Sequence, residues 1–344
     1  MRNTGREGIS GAGYAVFSAL ALLVMLLCVA LGSVSIPLRD IAGAVRRALF
    51  DPASAGGVYD AIILRVRLPR VLATALTGAS LALSGAAMQG LLRNPLADGS
   101  TLGVSSGAAL GAVVALAFGV TVPSLPFAGT TVLAILFAFL SLLIILGLAY
   151  RFDNTLSTNT IILIGVIFGM FVSSIMSLII TFAGDHVKSI VFWTMGSLSG
   201  SSYLNVLTLF CTLAVCGFFI LRRARELNAF AIGEENARHV GVPVRRVKLA
   251  IMIACSALIG VAVSIGGSIG FVGLVVPHAV RFITGPNHRR LLPASLFAGA
   301  MFLMLCDLVC RTLLNPLELP IGVVTSFVGS IAFVLIFYRA RKGG

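Results

Sequence analysis

Apolar residues run through this chain in long uninterrupted blocks, and the polar positions fall between the blocks instead of alternating with them. Stretches 8–38, 71–92, 99–150, 154–184, 189–221 and 249–280 contain no Asp, Glu, Lys or Arg. Each exceeds the ~20 apolar residues that carry a helix across a bilayer core, and several have room for two passes. Prolines and glycine in GVTVPSLP (119–126) split the third block, and TGPNHRR and LNPLELP punctuate the tail. The pattern predicts ten helices, at about 14–34, 70–91, 101–118, 127–150, 160–182, 203–221, 247–265, 269–283, 291–314 and 320–338. The fold class is therefore an all-α polytopic membrane protein. Five helices per half would make the halves inverted relative to each other, a transporter architecture.

Composition agrees: hydrophobic residues make up 58%, charged residues 11%, and the mean hydropathy is +1.05. With the N-terminus inside, inner segments carry 17 Lys and Arg and outer segments 8, while the acids divide six and six. That bias places both termini in the cytoplasm. The basic balance thus reflects topology and not a nucleic-acid partner. The first apolar stretch is longer than the core of a signal peptide and lacks an A-x-A site, so it is read as a retained span, with all of 1–344 one transmembrane unit.

One polar island interrupts the pattern. Residues 222–248, RRARELNAFAIGEENARHVGVPVRRVK, hold seven of the 25 basic residues. Leu227, Phe230 and Ala231 share a helical face, Gly233 breaks the run, and EENARHV restarts with acids in its first turn. Glu234 and Arg238 stand at i,i+4 spacing, and Gly241 and Pro243 supply a stop. Two short cytoplasmic helices of this kind suit a docking platform; a solvated loop is the plain alternative.

Other chemistry is sparse. The three lysines, Lys188, Lys248 and Lys342, do not follow glycine, so there is no P-loop. Six cysteines fall within predicted spans without metal-ligand spacing, and neither a metal site nor a cofactor is expected. No nucleophile or carboxylate pair marks an enzyme. Asp307, four residues before Arg311, is the main ionisable group in a span. Energy for transport must then come from another subunit. An ion-coupled secondary transporter acting alone is the alternative. On the outer side, Arg65, Arg67 and Arg70 invite an acidic partner, because guanidinium forks suit carboxylates. Glycines 266, 267, 270 and 273 predict an interrupted helix ahead of Pro277-His278.

The strings RLPR, GASLALSGAAMQGLLRNPLADGSTLGVSSGAALG, GEENARHVGV, GSIGFVGLVVPHAVR and ELPIGVVTSFVG, in this order over about 67–329, resemble the FecCD family of ABC-importer permeases. GSIAFVLIF stands where that family has a GAP-F stretch. The resemblance implies a dimeric permease, built from two copies or a paired homologue. Two cytoplasmic ABC ATPases and a periplasmic or lipoprotein binding protein would serve it in uptake of iron-siderophore, haem or cobalamin. It implies that Gly233, Glu234, Glu235, Ala237, Arg238 and Gly241 seat on the ATPase. By the same resemblance, Arg67, Arg70 and Arg311 meet the binding protein, and Asn94, Leu96, Ser157 and Thr158 belong to a cytoplasmic gate.

Overall fold

A computed structural model describes residues 8–32, 36–50, 57–99, 102–120, 128–154 and 157–342. Most of the turn expected over 119–126 lies outside them. Every extended element among the described residues is a helix. In order they are α1 (Gly11–Ala30), α2 (Leu38–Phe50), α3 (Tyr59–Leu91), α4 (Val104–Ala117), α5 (Ala128–Phe152), α6 (Thr158–Phe182) and α7 (Val187–Thr194). The second half continues with α8 (Tyr203–Arg222), α9 (Ala224–Ala231), α10 (Glu234–His239), α11 (Val244–Gly266), α12 (Val272–Thr284), α13 (His288–Thr312) and α14 (Ile321–Lys342).

Seven of these, α1, α3, α5, α6, α8, α11 and α13, are long and apolar enough to cross a membrane. The other three predicted spans correspond to shorter apolar helices, α4, α12 and the first part of α14. At 1.5 Å per residue, the 14 residues of α4 rise only about 21 Å. Both α4 and α12 are entered through a left-handed residue, Gly103 (φ 66°) and Phe271 (φ 67°). The backbone from Gly267 to Gly270 is not helical, so the interruption expected from the glycines is present.

Helix contacts repeat between the halves. The pairs α3–α13, α4–α5, α3–α12 and α4–α6 have counterparts in α11–α5, α12–α13, α11–α4 and α12–α14. The paired helices α3 and α11 also run in opposite directions: Arg70 in the first half of α3 meets Asp307 near the end of α13, whereas Lys248 near the start of α11 meets Glu234 of the island, beside the start of α13. This is the inverted arrangement of the two halves.

Burial sorts the helices. In their most apolar windows α3 is 83% buried and α1 only 11%, so α3 is a central post and α1 a peripheral one. Small residues make the centre close-packed, as membrane helices require where no hydrophobic force draws them together. A Cβ on Gly78 or Gly85 would collide with the carbonyl oxygens of Gly299 (α13) and Gly273 (α12). Large apolar side chains on α5 and α6, such as Leu143 and Ile167, point outward and stay exposed.

One helix lies in a segment that the apolar pattern read as a loop, and another begins in one. Amphipathic α2 buries Ile41 and Ala44 in a second core with Cys28, Val29, Ile63 and Met304. Helix α3 starts eleven residues earlier than the helix predicted at 70–91, through a π-helical turn, Ile62–Arg67. Arginines ended the predicted span there, but Arg67 and Arg70 turn into protein and the helix carries on through them.

Candidate functional site

At the island end, the helix grammar of 222–248 is realised. Leu227 and Phe230 of α9 and Ala237 of α10 are fully buried and fasten both helices to the bundle. Ala231, expected on the same face, is exposed, and Ala224 takes its place. Gly233 joins the helices at φ 111° and Gly241 ends α10 at φ 85°, both in the region that glycine enters without strain. The outer surface of this unit presents Glu235, Arg238 and His239, flanked by exposed Ile232 and Val240.

Glu234 does not pair with Arg238 as its spacing suggested. Its Oε1 accepts from Lys248 Nζ at 2.6 Å and from Thr158 Oγ1 at 3.4 Å. Lys248 is 1% exposed, so the buried ammonium draws the carboxylate inward and leaves Arg238 on the surface. The first residue of α10 is thereby tied to the first turns of α11 and α6. Ser157 caps α6, its backbone N–H bonded to Asp153 Oδ2 at 3.1 Å and its Oγ 2.8 Å from Thr160 Oγ1. Asn94 Oδ1 accepts from the Leu96 N–H at 2.9 Å, which closes the turn after α3 and leaves Leu96 exposed. A Cβ on Gly233 would stand 3.8 Å from Arg93 Nη1, so this turn borders the island too. The structure thus brings the residues expected for coupling and gating to one end of the bundle.

A second tie runs from α9 to α13. Asn228 Oδ1 accepts the His288 N–H at 2.8 Å, and Asn228 Nδ2 donates to Asn287 Oδ1 at 2.8 Å. His288 packs directly on Gly90 of α3. Gln89, beside it, donates to the carbonyls of Gly273 and Leu274 in α12 at 3.3 and 3.1 Å. Hydrogen bonds thus link the island to α6, α11 and α13, and His288 and Gln89 extend the chain of contacts to α3 and α12.

At the opposite end, Arg67, Arg70 and Arg311 converge, but they face inward. Each is no more than 6% exposed. Arg70 Nε donates to Asp307 Oδ1 at 3.0 Å, and Nη1 donates to both Glu318 carboxylate oxygens at 3.0 and 2.9 Å. Arg311 Nε lies 3.0 Å from Asp307 Oδ2, the i,i+4 pairing read from the sequence. The remaining donors reach the C-terminal carbonyls of α1: Arg67 Nη1 to Val29 and Ala30 at 2.8 and 3.0 Å, and Arg311 Nη2 to Cys28 at 3.1 Å. Those carbonyls have no partner inside their own helix, and cations suit the negative end of its dipole. In the cluster as described, two arginines balance two carboxylates, and Arg67 adds its charge at the α1 terminus.

Beside this cluster a cavity of about 570 Å³ opens between the start of α5, α7, the 196–201 loop, the start of α8, the last turn of α11 and the 318–320 turn ahead of α14. Trp193, Ser201 and Glu318 are among its walls.

A model of the FecCD transport family matches residues 20–339. The chain belongs to the FecCD transport family. Among FecCD relatives, it is 42% identical to an uncharacterized ABC transporter permease protein, YvrB, of Bacillus subtilis, with 95% of this chain and 93% of the relative covered. It is 39% identical to the cobalamin import system permease BtuC of Halobacterium salinarum, over 82% and 74% of the two chains. Other relatives are named for molybdate and hemin transport. A solved inward-facing structure of a metal-chelate type ABC transporter superposes with a TM-score of 0.82 at 31% identity, covering 94% of this chain and 98% of that one. This FecCD chain is a multi-pass permease subunit of an ABC importer, as its relatives are transport permeases.

Sequence reasoning passed over Lys248, Asn228, Glu318 and Ser201. Lys248 resembled one more topology anchor, since only its burial separates it from the arginines nearby. Glu318 sits in a proline-flanked turn and gave no periodic signal.

Proposed function

We propose that this chain carries a metal chelate, an iron-siderophore, haem or cobalamin, inward across a bacterial or archaeal cytoplasmic membrane, with both termini inside. One permease unit, 1–344, pairs with a second copy or a homologous permease. Two cytoplasmic ABC ATPases seat on the island, and a periplasmic or lipoprotein binding protein delivers the chelate at the opposite end. The observation that carries this reading is the build of α10. It exposes Glu235 and Arg238 between apolar Ile232 and Val240, while Ala237 and Glu234 anchor it to the helices that must move. A polar patch with apolar flanks on rigid supports is what a force-transmitting contact needs.

In this mechanism, ATPase closure pushes α10. Glu234 passes the displacement to Thr158 of α6 and Lys248 of α11, and Asn228 passes it to α13. The gate at Asn94, Leu96, Ser157 and Thr158 lies against these contacts and changes with them. Reconstitution with the ATPase and binding protein tests this. Arg238→Glu is expected to insert and fold normally but to lower chelate-stimulated ATP hydrolysis roughly 5–30-fold, the range for a contact worth about 1–2 kcal/mol. Glu234→Ala should lower hydrolysis too, and also loosen α10. Normal hydrolysis in both variants would reduce the island to a loop. Uptake by this chain alone, driven by an ion gradient, would sink the importer reading.

Of the three arginines expected to dock at the outer end, Arg67 and Arg311 are buried, and Arg70 is reached only through its half-exposed partner Glu318. Their guanidiniums already hold Asp307, Glu318 and the α1 carbonyls. An acidic side chain of the binding protein therefore meets Arg70 by replacing half-exposed Glu318, and it meets exposed Arg65 directly. Association should weaken as salt rises through the range that screens surface charges. Arg65→Glu should weaken it further while leaving the fold intact; affinity indifferent to both would count against docking here.

A further inference from the structure

The cavity beside Glu318 has a chemistry of its own. Hydroxyl and amide side chains dominate its polar wall, among them Thr130, Ser189, Ser197, Ser199, Ser201 and Asn205. Among the described residues that line it there is no Lys, Arg or His, and the one charged group is Glu318. That carboxylate is held by Arg70 from behind and is 44% exposed in front. Phe192 and Trp193 supply aromatic surface. Ser197 and Ser199 satisfy each other, with their Oγ atoms 2.9 Å apart. Ser201 is different. It is only 8% exposed, yet its Oγ has no hydrogen-bond partner. A buried hydroxyl left unpaired costs about 1–3 kcal/mol, so a position like this calls for a ligand atom or a water.

We infer that this cavity is a holding site for an uncharged, oxygen-rich chelate, one that presents amide, hydroxamate or alcohol groups to the serines. The inference rests on the importer reading and names the substrate class within it. The volume lies inside the range of small-molecule sites, about 300–1,000 Å³. Serine and threonine hydroxyls both donate and accept, which suits neutral polar ligands. An oxyanion or a dicarboxylate would need cationic or N–H donors and would meet Glu318 instead. Each hydroxyl contact contributes only about 0.5–1.5 kcal/mol, so several of them orient a ligand without trapping it. A transport pathway needs that compromise, since its cargo must leave again.

The chain offers its own probe, because Trp193 is its single tryptophan and stands in the cavity wall. The experiment is a fluorescence titration of the full chain in detergent micelles, which carry no tryptophan, with four ligands: cyanocobalamin, a neutral ferric trihydroxamate, haemin and molybdate. Saturable quenching is expected from at least one of the two neutral chelates, and none from molybdate or haemin at the same concentrations. Ser201→Ala should weaken that binding roughly 3–10-fold, the loss of one hydrogen bond, and leave the unliganded spectrum unchanged. Trp193→Phe should abolish the signal. Quenching by molybdate or haemin that matches the neutral chelates would overturn the charge argument. Indifference to Ser201→Ala, or no saturable response to either neutral chelate, would overturn the site. The titration needs no ATPase, so a chain that transports normally but shows no quenching loses only this inference.

Discussion

Asp307→Ala should leave the permease barely able to accumulate as folded protein. Asp307 is 1% exposed and stands between Arg70 and Arg311, both buried. Without it, two cations share the single carboxylate of Glu318 and the α1 carbonyls in a poorly solvated place. Removing one partner of a buried ion pair costs about 3–5 kcal/mol, because the charge left behind is uncompensated. That is a large part of the stability of an ordinary domain. The damage should spread along the cluster, loosening α1 from α3 and α13. The measurement is the heat resistance of detergent-purified protein, followed by loss of its monodisperse fraction. A second variant keeps charge as the variable: Asp307→Leu with Arg311→Met removes one anion and one cation, leaving Arg70 paired with Glu318. It should recover much of the loss, and not all, since Arg311 also caps α1. An Asp307→Ala protein as heat-resistant as the parent would show that the cluster is not structural.

Gly85→Ala is the second severe change expected, although it adds a single methyl group. The new Cβ would run into the backbone of Gly273, which has no flexible end to move aside. Overpacking usually costs about 1–3 kcal/mol, and backbone on backbone belongs at the upper end. Relief requires α12 to move away from α3, and that breaks the Gln89 bonds to the Gly273 and Leu274 carbonyls. Transport should therefore fall even where the protein still inserts. Gly147→Ala is the internal control. It sits exposed on α5 with nothing within 4 Å of a new Cβ. There alanine should be neutral or stabilising by up to about 1 kcal/mol, from helix propensity alone. Equal behaviour of the two variants, in heat resistance and in uptake, would contradict the close α3–α12 contact.

Much of this molecule was legible before any coordinates. Long charge-free blocks leave a helix in a membrane as the economical way to satisfy the backbone, so the all-α class followed from composition and spacing. The island was legible for a related reason: Gly233 and Gly241 mark chain reversals that other residues resist, and they bracket α10 as the sequence suggested. Asp307–Arg311 was legible because i,i+4 neighbours on one helix meet regardless of what surrounds them. Hydropathy also placed α4 and α12, although both are shorter than a full span, and it said nothing about α2, whose apolar face is a minority of its residues.

What sequence could not assign was the company each polar side chain keeps. Arg67 and Arg70 read as a rim waiting for a partner, and only the fold reveals that α1 and α13 already occupy them. Glu234 had two cations within reach, Arg238 four residues away and Lys248 fourteen away; the nearer one lost because the farther one is buried. Ser201 is one of many serines until the loop that carries it folds over the cavity. The sequence by itself determined the solvent of each segment and where the chain turns, since these depend on local apolar area and backbone freedom. Tertiary structure alone decided which charges cancel and which hydroxyls are left unpaired, because desolvation and Coulomb energy depend on neighbours far away along the chain.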